Sequence, residues 1–597
     1  MLRHGFVFAL ALLGACAGST AEPPGNFCRT NADCAGGATC DMVHSLCVAP
    51  NATTEVIFVA TPPGNHATET ATTTATDAQS VSSQRSVDIQ LRAPRTVSGR
   101  IEVPDAQNPA VAAAIGASVR FHRRGSTPAE SDVEVQSTVA TGFSTQLVPG
   151  VYDVTVTPAD LTTYPPYLIG GMTPLTIQTD ATNAPVPLTI TYSASGDTVS
   201  GRVLDAETQV PMPDVGVRLV DTSSNGRIVS TIATTANGMN GETGSFAVRL
   251  SPGGGRPDNW SLQLTSQPAG QPDPTVANGR LTYQVTREAL GALQMYSGLT
   301  VRASPTFSLS GAVSGACSAC VDVQASIEGT NAAGMRESLA GATVNLRSDD
   351  VLGTLPTGHT AWFEARATTM MDGTFRALLM PGHYTAIITP PRDSAYAITS
   401  VRLEVTRSLR GQVLTVNQLV PVLGRIESGA NGAQGVQNTL IEAVPLVDPT
   451  LATNAAMPVT ALARRWQTYT EADGSFLLPC DEGDYLLVAH PPDGTGLATQ
   501  LFDRVSVIFS PRDGATDPRP APIPASNDGG ILTLSSPFGV TGSVFDSTGA
   551  HMMNAGVRAF ARYSTGANIS LDVEIARTTS DGSGHYSLLL PSTLVAR

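Results

Sequence analysis

The sequence predicts an all-β protein: five tandem antiparallel β-sandwich modules after a small disulfide-rich N-terminal segment. Three observations carry the prediction. Apolar and polar residues alternate over short stretches, as where Phe246, Val248 and Leu250 share one face and Ala247 and Arg249 take the other. Turn dipeptides bound these stretches, Asp-Gly for tight hairpins and Pro-Gly for stops that a strand cannot cross. Two short signatures also recur five times at domain-sized intervals. The nearest approach to a helical period is residues 287–295, and it is short.

Composition agrees. A chain of 597 residues has room for about four domains of ordinary size. Charged residues are 14%, against about 25% in an average soluble protein, and Gly and Pro together are 98 residues, which argues against a coiled coil or a large helical fold. The net charge of −15 makes the chain a poor nucleic-acid binder, because phosphate neutralisation needs clustered basic residues. All 35 basic residues are Arg, so lysine Schiff-base chemistry and a lysine-bearing phosphate loop are excluded.

Residues 1–15 read as a secretory signal peptide. Arg3 and His4 precede the apolar run from Phe6 to Leu13, and small residues follow. The run is too short to span a bilayer, which takes about 20 apolar residues. Leu13-Gly14-Ala15-Cys16 resembles the lipobox of bacterial lipoproteins. That resemblance implies cleavage before Cys16, a diacylglycerol on its thiol and acylation of the new amine, giving a lipidated N-terminus over 16–27. Two or three acyl chains anchor stably where one is marginal. Ala17, where Asp would mark inner-membrane retention, points to an outer-membrane lipoprotein, its face of that membrane left open.

Cys28, Cys34, Cys40 and Cys47 follow within 20 residues, among Asn, Asp, Gly and Ala. In an exported chain this reads as a disulfide microdomain over 28–47, with two bridges and three connectivities open. A zinc site is the alternative, and it lacks paired C-x2-C spacing. The run is similar to short Cys-rich motifs at the start of myxobacterial surface proteins. Cys317 and Cys320 form a lone C-x2-C without a following helical pattern, as a local structural disulfide would, and Cys480 is left over.

A Thr/Ala-rich stretch over 61–84 reads as a tether, because its composition cannot build a packed core. The repeats come next. The first signature is apolar-x-Gly-x-(Ile/Val): Val97-Ser98-Gly99-Arg100-Ile101, Val199-Ser200-Gly201-Arg202-Val203, Leu309-Ser310-Gly311-Ala312-Val313, Val422-Leu423-Gly424-Arg425-Ile426 and Val540-Thr541-Gly542-Ser543-Val544. Its glycines are 102, 110, 113 and 118 residues apart. The second is a turn, an aromatic, an alternating stretch, then Pro or Pro-Gly and another aromatic-led alternation. It runs Phe143…Pro149-Gly150…Tyr152 in unit one and Phe246…Pro252-Gly253…Trp260 in unit two. It then runs Phe375…Pro381-Gly382…Tyr384, Phe476…Pro479…Tyr485 and finally Tyr586…Pro591. The aromatic trails the first glycine by 44, 45, 64, 52 and 44 residues. The expected units are 88–192, 193–304, 305–416, 417–535 and 536–597. The fifth is incomplete: it stops at Pro591 and lacks most of its closing strand, as a truncated product would, or as an edge that a partner strand completes.

The V-x-G-x-V/I opening, a mid-unit segment such as Gly341-Ala342-Thr343-Val344, the D-G-x-F/Y turn and the P-G-x-Y exit together resemble the carboxypeptidase regulatory-like domain. That family implies a prealbumin-like sandwich of about seven strands, noncatalytic and surface-associated, used as a spacer or for ligand binding. Related Gram-positive modules carry a Lys–Asn isopeptide crosslink, which a chain without lysine cannot form.

Catalytic constellations are absent from the pattern. The one H-x-x-E, His66-Ala67-Thr68-Glu69, lies in the Thr/Ala-rich stretch, and no G-x-S-x-G or post-strand G-x-G-x-x-G occurs. Asp372, Asp473 and Asp581 are isolated, so they read as hairpin-turn residues rather than calcium ligands. Trp362 and Trp466 are candidates for sugar stacking, with core or interdomain packing the commoner fate of such residues, and Trp260 sits at a repeat core position. No catalytic residue, metal or cofactor is expected. The expected function is a lipid-anchored, noncatalytic envelope protein, a stalk for structure, adhesion or ligand display. A carbohydrate- or peptide-binding accessory lipoprotein is the alternative. The expected partners are membrane lipid through acylated Cys16 and an unidentified protein or polysaccharide.

Overall fold

The computed structural model describes residues 39–41, 46–48, 55–64, 72–77 and 86–596, apart from internal stretches of which the longer are 105–111, 125–131, 179–185, 251–259, 267–275, 286–298, 304–320, 350–358, 447–461, 510–520 and 523–529. The described chain is all-β and forms a string of two-sheet sandwiches.

One plan repeats. In the first sheet, a long leading strand runs antiparallel to the strand that opens with the turn aromatic and parallel to the strand that closes the unit. In unit one these are Arg95–Pro104, Phe143–Leu147 and Val186–Thr191. The second sheet is antiparallel, and its middle pair is Ala117–Arg123 with Gly150–Pro158. Unit two repeats this with Thr198–Asp205, Ser245–Arg249 and Leu299–Ala303, and with Val215–Asp221 beside Trp260–Ser266. Unit four does so with Val420–Ser428, Ser475–Cys480 and Ile531–Leu534, and with Leu440–Pro445 beside Gly483–His490. Alternation puts one residue in two into the core: Thr374–Leu379 alternates half-buried and buried positions, and Tyr152, Val154 and Val156 point inward from Gly150–Pro158.

The signature glycine sits where the closing strand lies closest against the leading one. A Cβ on Gly99 would lie 1.8 Å from the Leu188 carbonyl oxygen and 3.0 Å from the Phe143 ring. Only glycine lets the two backbones approach so closely under the aromatic.

Unit three departs from the expected register. Leu309-Ser310-Gly311-Ala312-Val313 lies outside the described residues, and the strand that pairs with Thr374–Leu379 is Val321–Thr330. Ala325 stands opposite Phe375, where the other units place glycine. Val323-Gln324-Ala325-Ser326-Ile327 is therefore the leading motif of this unit, with Ala in the glycine position. The closing strand Leu409–Val416 makes room by bulging: its register shifts between Gln324 and Ala325, skipping Gly411 at φ +73°. Units two and three also share a sheet, because Arg280–Val285 pairs with His359–Thr368 to give nine strands, and one core runs through both units.

Unit five corrects two expectations. Its leading strand Pro537–Phe545 pairs with His585–Pro591, as the pattern requires, and Gly556–Thr565 pairs with Ile569–Thr579. The remaining strands come from the other end of the chain. Glu55–Thr61 adds to Gly556–Thr565, Thr72–Asp77 adds to Glu55–Thr61, and Ile89–Gln90 runs parallel to Pro537–Phe545 in the closing position. The fifth sandwich is thus complete, and part of the stretch expected to be a tether is strand within it. The donated segment fills the core with Val56, Phe58, Ala60, Val87, Ile89 and Leu91.

Candidate functional site: the joints between sandwiches

Buried polar side chains hold two of the joints between sandwiches. The joint between units three and four is built on Arg464 and Asp481, whose side chains are 8% and 1% exposed. Asp481 ends the hairpin after Ser475–Cys480, and Arg464 precedes the strand Trp466–Tyr469. The guanidinium donates to the carboxylate from Nε at 2.8 Å and from Nη2 at 2.9 Å, a two-pronged match of planar fork to carboxylate. Its other donors reach across to unit three: Nη1 to the Pro390 carbonyl at 3.0 Å and Nη2 to the Tyr396 carbonyl at 2.8 Å. Asp481 in turn accepts from the Ile398 amide of unit three at 2.8 Å and from the Trp466 indole at 3.1 Å. A buried ion pair stabilises only when its remaining donors and acceptors are satisfied, and here the neighbouring sandwich satisfies them. Beside it Cys480 is a buried free thiol, and burial pushes its pKa well above the ordinary range.

The joint between units four and five centres on Gln500, fully buried. Its amide nitrogen donates to the Thr593 carbonyl at 2.7 Å, and its oxygen accepts from the Ser535 hydroxyl at 2.6 Å. Leu501 pairs in parallel register with Val595, and the Tyr563 hydroxyl donates to Asp503 at 2.7 Å. Gly483–His490 is buried on both faces, because its inward residues fill unit four while Leu486 and Val488 join the core of unit five. Units one and two touch through the Ile232 amide and the Leu161 carbonyl, 2.8 Å apart.

The closure of unit five has its own polar set. The Val87 amide donates to the Thr541 carbonyl at 2.9 Å and the Leu91 amide to the Phe545 carbonyl at 2.8 Å. The Ser543 amide donates to Asp88 at 2.8 Å, the Ser543 hydroxyl meets His585 Nδ1 at 2.8 Å, and the Tyr586 hydroxyl donates to the Val87 carbonyl. Burial pushes the Tyr586 phenol above its ordinary pKa, so it stays a donor at neutral pH. Tyr152 and Tyr485, the exit aromatics of units one and four, donate to carbonyls four residues back, those of Val148 and Asp481.

The other candidates from the sequence fall as follows. Cys40 and Cys47 are direct cross-strand partners in the hairpin of Thr39–Asp41 and Leu46–Val48. Cys16, Cys28, Cys34, Cys317, Cys320 and the His66-to-Glu69 motif lie outside the described residues. Asp372, Asp473 and Asp581 each accept from the amide and hydroxyl two residues on, in Thr374, Ser475 and Ser583. Those hydroxyl bonds hold all three carboxyls below the ordinary carboxylate pKa, and the side chains are engaged in their own turns. Among the described residues no group of three or more His, Cys, Asp or Glu could hold a metal ion, and no helix is long and apolar enough to cross a membrane. Arginines cover both tryptophan faces: Arg347 lies 4.1 Å from the Trp362 ring centre and Arg464 4.7 Å from that of Trp466. Burial pulls the Arg347 guanidinium down to about 10, against the pull of Glu364 and Asp349.

The sequence reading did not single out Glu55–Thr61. Its signal is the run Val56-Ile57-Phe58-Val59-Ala60, five consecutive buried residues, as expected of a strand covered on both faces.

No protein-family model and no curated protein matches the chain. Solved structures do. A Streptococcal ancillary pilin is 15% identical with a TM-score of 0.19, over 54% of this chain and 98% of that one. The Bacillus anthracis TIE protein is 11% identical with a TM-score of 0.15, over 74% and 73%. BcpA, the major pilin subunit of Bacillus cereus, is 9% identical with a TM-score of 0.13, over 54% and 99%. Likeness at these scores bears on neither activity nor partners.

Proposed function

We propose that this chain is a noncatalytic, lipid-anchored protein of the cell envelope whose sandwiches form a jointed scaffold for structure, adhesion or ligand display. The observation that carries the reading is the Arg464–Asp481 joint. The most deeply buried ion pair among the described residues fastens one sandwich to the next, and its donors and acceptors are taken up by protein groups. The lipobox-like Leu13-Gly14-Ala15-Cys16 supports the anchor, with Cys16 as the acylated residue. The anchored end then enters the scaffold through the fifth sandwich, which holds residues 55–61, and not through the first.

Protease shaving and labelling of intact cells with an impermeant probe test this, comparing wild type with Cys16→Ala. The expected result is a membrane-held wild type and a released or lost variant. A variant that stays with the membrane fraction in wild-type amounts overturns the lipid anchor. Shaving of the wild type from intact cells would assign the outer face, and protection until the outer membrane is opened would assign the periplasmic face.

A further inference from the structure

The second sheet of the fifth sandwich carries an apolar centre on its outer face. Glu55–Thr61 sends Val56, Phe58 and Ala60 into the core, so Ile57 and Val59 stand on the opposite face. Phe560 is the direct cross-strand partner of Ile57 there. The three are 1%, 0% and 3% exposed, yet among the described residues no other buried or half-buried apolar side chain packs with them. Charged side chains ring them. Arg558 lies 5.0 Å from the Phe560 ring centre and pairs with Glu574 at 3.4 Å, and Arg562 pairs with Glu55 at 3.6 Å and with Asp572 at 2.8 Å. An apolar centre inside a polar rim is the anatomy of a contact surface. Arginine stems flank Phe560, but a sheet residue at 0% exposure, as Val59 is, has chain laid over it.

We propose that the Cys-rich segment of this same chain, residues 28–48, is the cover, its hairpin docked by its apolar face on Ile57, Val59 and Phe560. Register gives the hairpin two unlike faces. Thr39 opposes Val48 and Asp41 opposes Leu46, so Leu46 and Val48 share one face while Cys40 and Cys47 share the other. Among the described residues the hairpin pairs with no further strand, and an isolated two-stranded hairpin is marginal in water. The reach is short: Val48 and Glu55 are seven residues apart, a span of at most about 25 Å. The other stretches that border this sheet have little to bury. Residues 65–71 and 78–85 hold one large apolar side chain between them, Val81, and 566–568 hold none, whereas 42–48 hold Met42, Val43, Leu46 and Val48. Each surface supplies the apolar cover that the other lacks. The seat makes the Cys-rich segment part of the fifth sandwich instead of a free spacer. Residues 16–27, about 40 Å at full stretch, are then the whole of the slack between the scaffold and Cys16. That consequence rests on the anchored reading of the chain; the seat itself does not.

Photocrosslinking tests the seat. The full-length chain carrying p-benzoylphenylalanine in place of Phe560 is irradiated, and the products are mapped by mass spectrometry. The expected result is a crosslink within one chain to the peptide that holds residues 42–48. Crosslinks to residues 62–85 instead, to a second copy, to lipid, or to no peptide at all overturn the proposal. Hydroxyl-radical footprinting asks the same question without replacing Phe560. Leu46→Asp with Val48→Asp should raise oxidation of Phe560 several-fold and leave Phe121, buried in unit one, unchanged. Leu46→Met with Val48→Ile should keep Phe560 protected, since the apolar face is kept. A Phe560 as protected in the Asp variant as in the wild type overturns the proposal. Neither readout depends on Cys16, so a failed anchor and a failed seat are told apart.

Discussion

Gly542→Ala is the sharpest probe of how the fifth sandwich closes. A Cβ at Gly542 would sit 1.8 Å from the Val87 carbonyl oxygen, 2.7 Å from its carbon and 2.9 Å from the Tyr586 ring. Two of those atoms are backbone of the donated segment and cannot swing aside. One response is to push the segment back, an overpacking that ordinarily costs about 1–3 kcal/mol. The required shift exceeds an ångström here, beyond what such cores absorb. The other response releases the segment and exposes Val87, Ile89 and Leu91, now 8%, 0% and 1% exposed. At about 1.5–3 kcal/mol for each buried side chain, release costs about 5–9 kcal/mol. The molecule takes the cheaper compromise, so the expected loss is about 3–5 kcal/mol in the fifth sandwich. A chain of several sandwiches does not unfold in one step, so the assay must be local. Hydrogen exchange at the amides of residues 86–91 reports the closure directly, with urea unfolding alongside. Gly539→Ala is the control on the same strand, where an added Cβ meets nothing within 4 Å, and it should stay within about 0.5 kcal/mol of wild type. A Gly542→Ala protein whose 86–91 amides are as protected as wild type would refute the reasoning.

Other predictions concern the joints and the acid limb. Asp481→Ala strands the Arg464 guanidinium in a buried site and should cost about 3–5 kcal/mol, whereas Arg464→Met with Asp481→Leu should recover much of it; a double-mutant cycle in urea measures both. Tyr586→Phe removes the donor to the Val87 carbonyl and should cost about 0.5–1.5 kcal/mol, seen as faster exchange at 86–91 with unit one unchanged. Glu442 is held below the ordinary carboxylate pKa by His490, whose Nε2 lies 3.8 Å from its carboxylate, and Arg465 adds to this. Its folded pKa lies below its unfolded one, so its contribution is fully present above about pH 4.3 and drains as pH falls through the folded value. Glu442→Gln should flatten that acid limb in urea titrations run between about pH 3 and pH 7, and an unchanged slope would discount the Glu442–His490 contact.

Much of the repeat was legible from residues. Period-two alternation says which face of a strand is buried, Asp-Gly says where a hairpin turns, and the glycine of V-x-G-x-V marks a close backbone approach. Unit three was misread because Leu309-Ser310-Gly311-Ala312-Val313 fits the same short pattern that Val323-Gln324-Ala325-Ser326-Ile327 fills in space. The true motif carries Ala, and its compensation sits some 85 residues away, in the bulge at Gly411.

Local chemistry therefore determined the all-β class, the spacing of the repeats and the turns. Partner choice was decided by the tertiary structure. A strand edge offers the same row of amides and carbonyls whatever its sequence, so a strand that lacks neighbours does not reveal where in the chain they lie. Nothing local in Val56-Ile57-Phe58-Val59-Ala60 points to Gly556–Thr565 some 500 residues on; only packing against Val557, Ala559 and Ala561 in a shared core joins them.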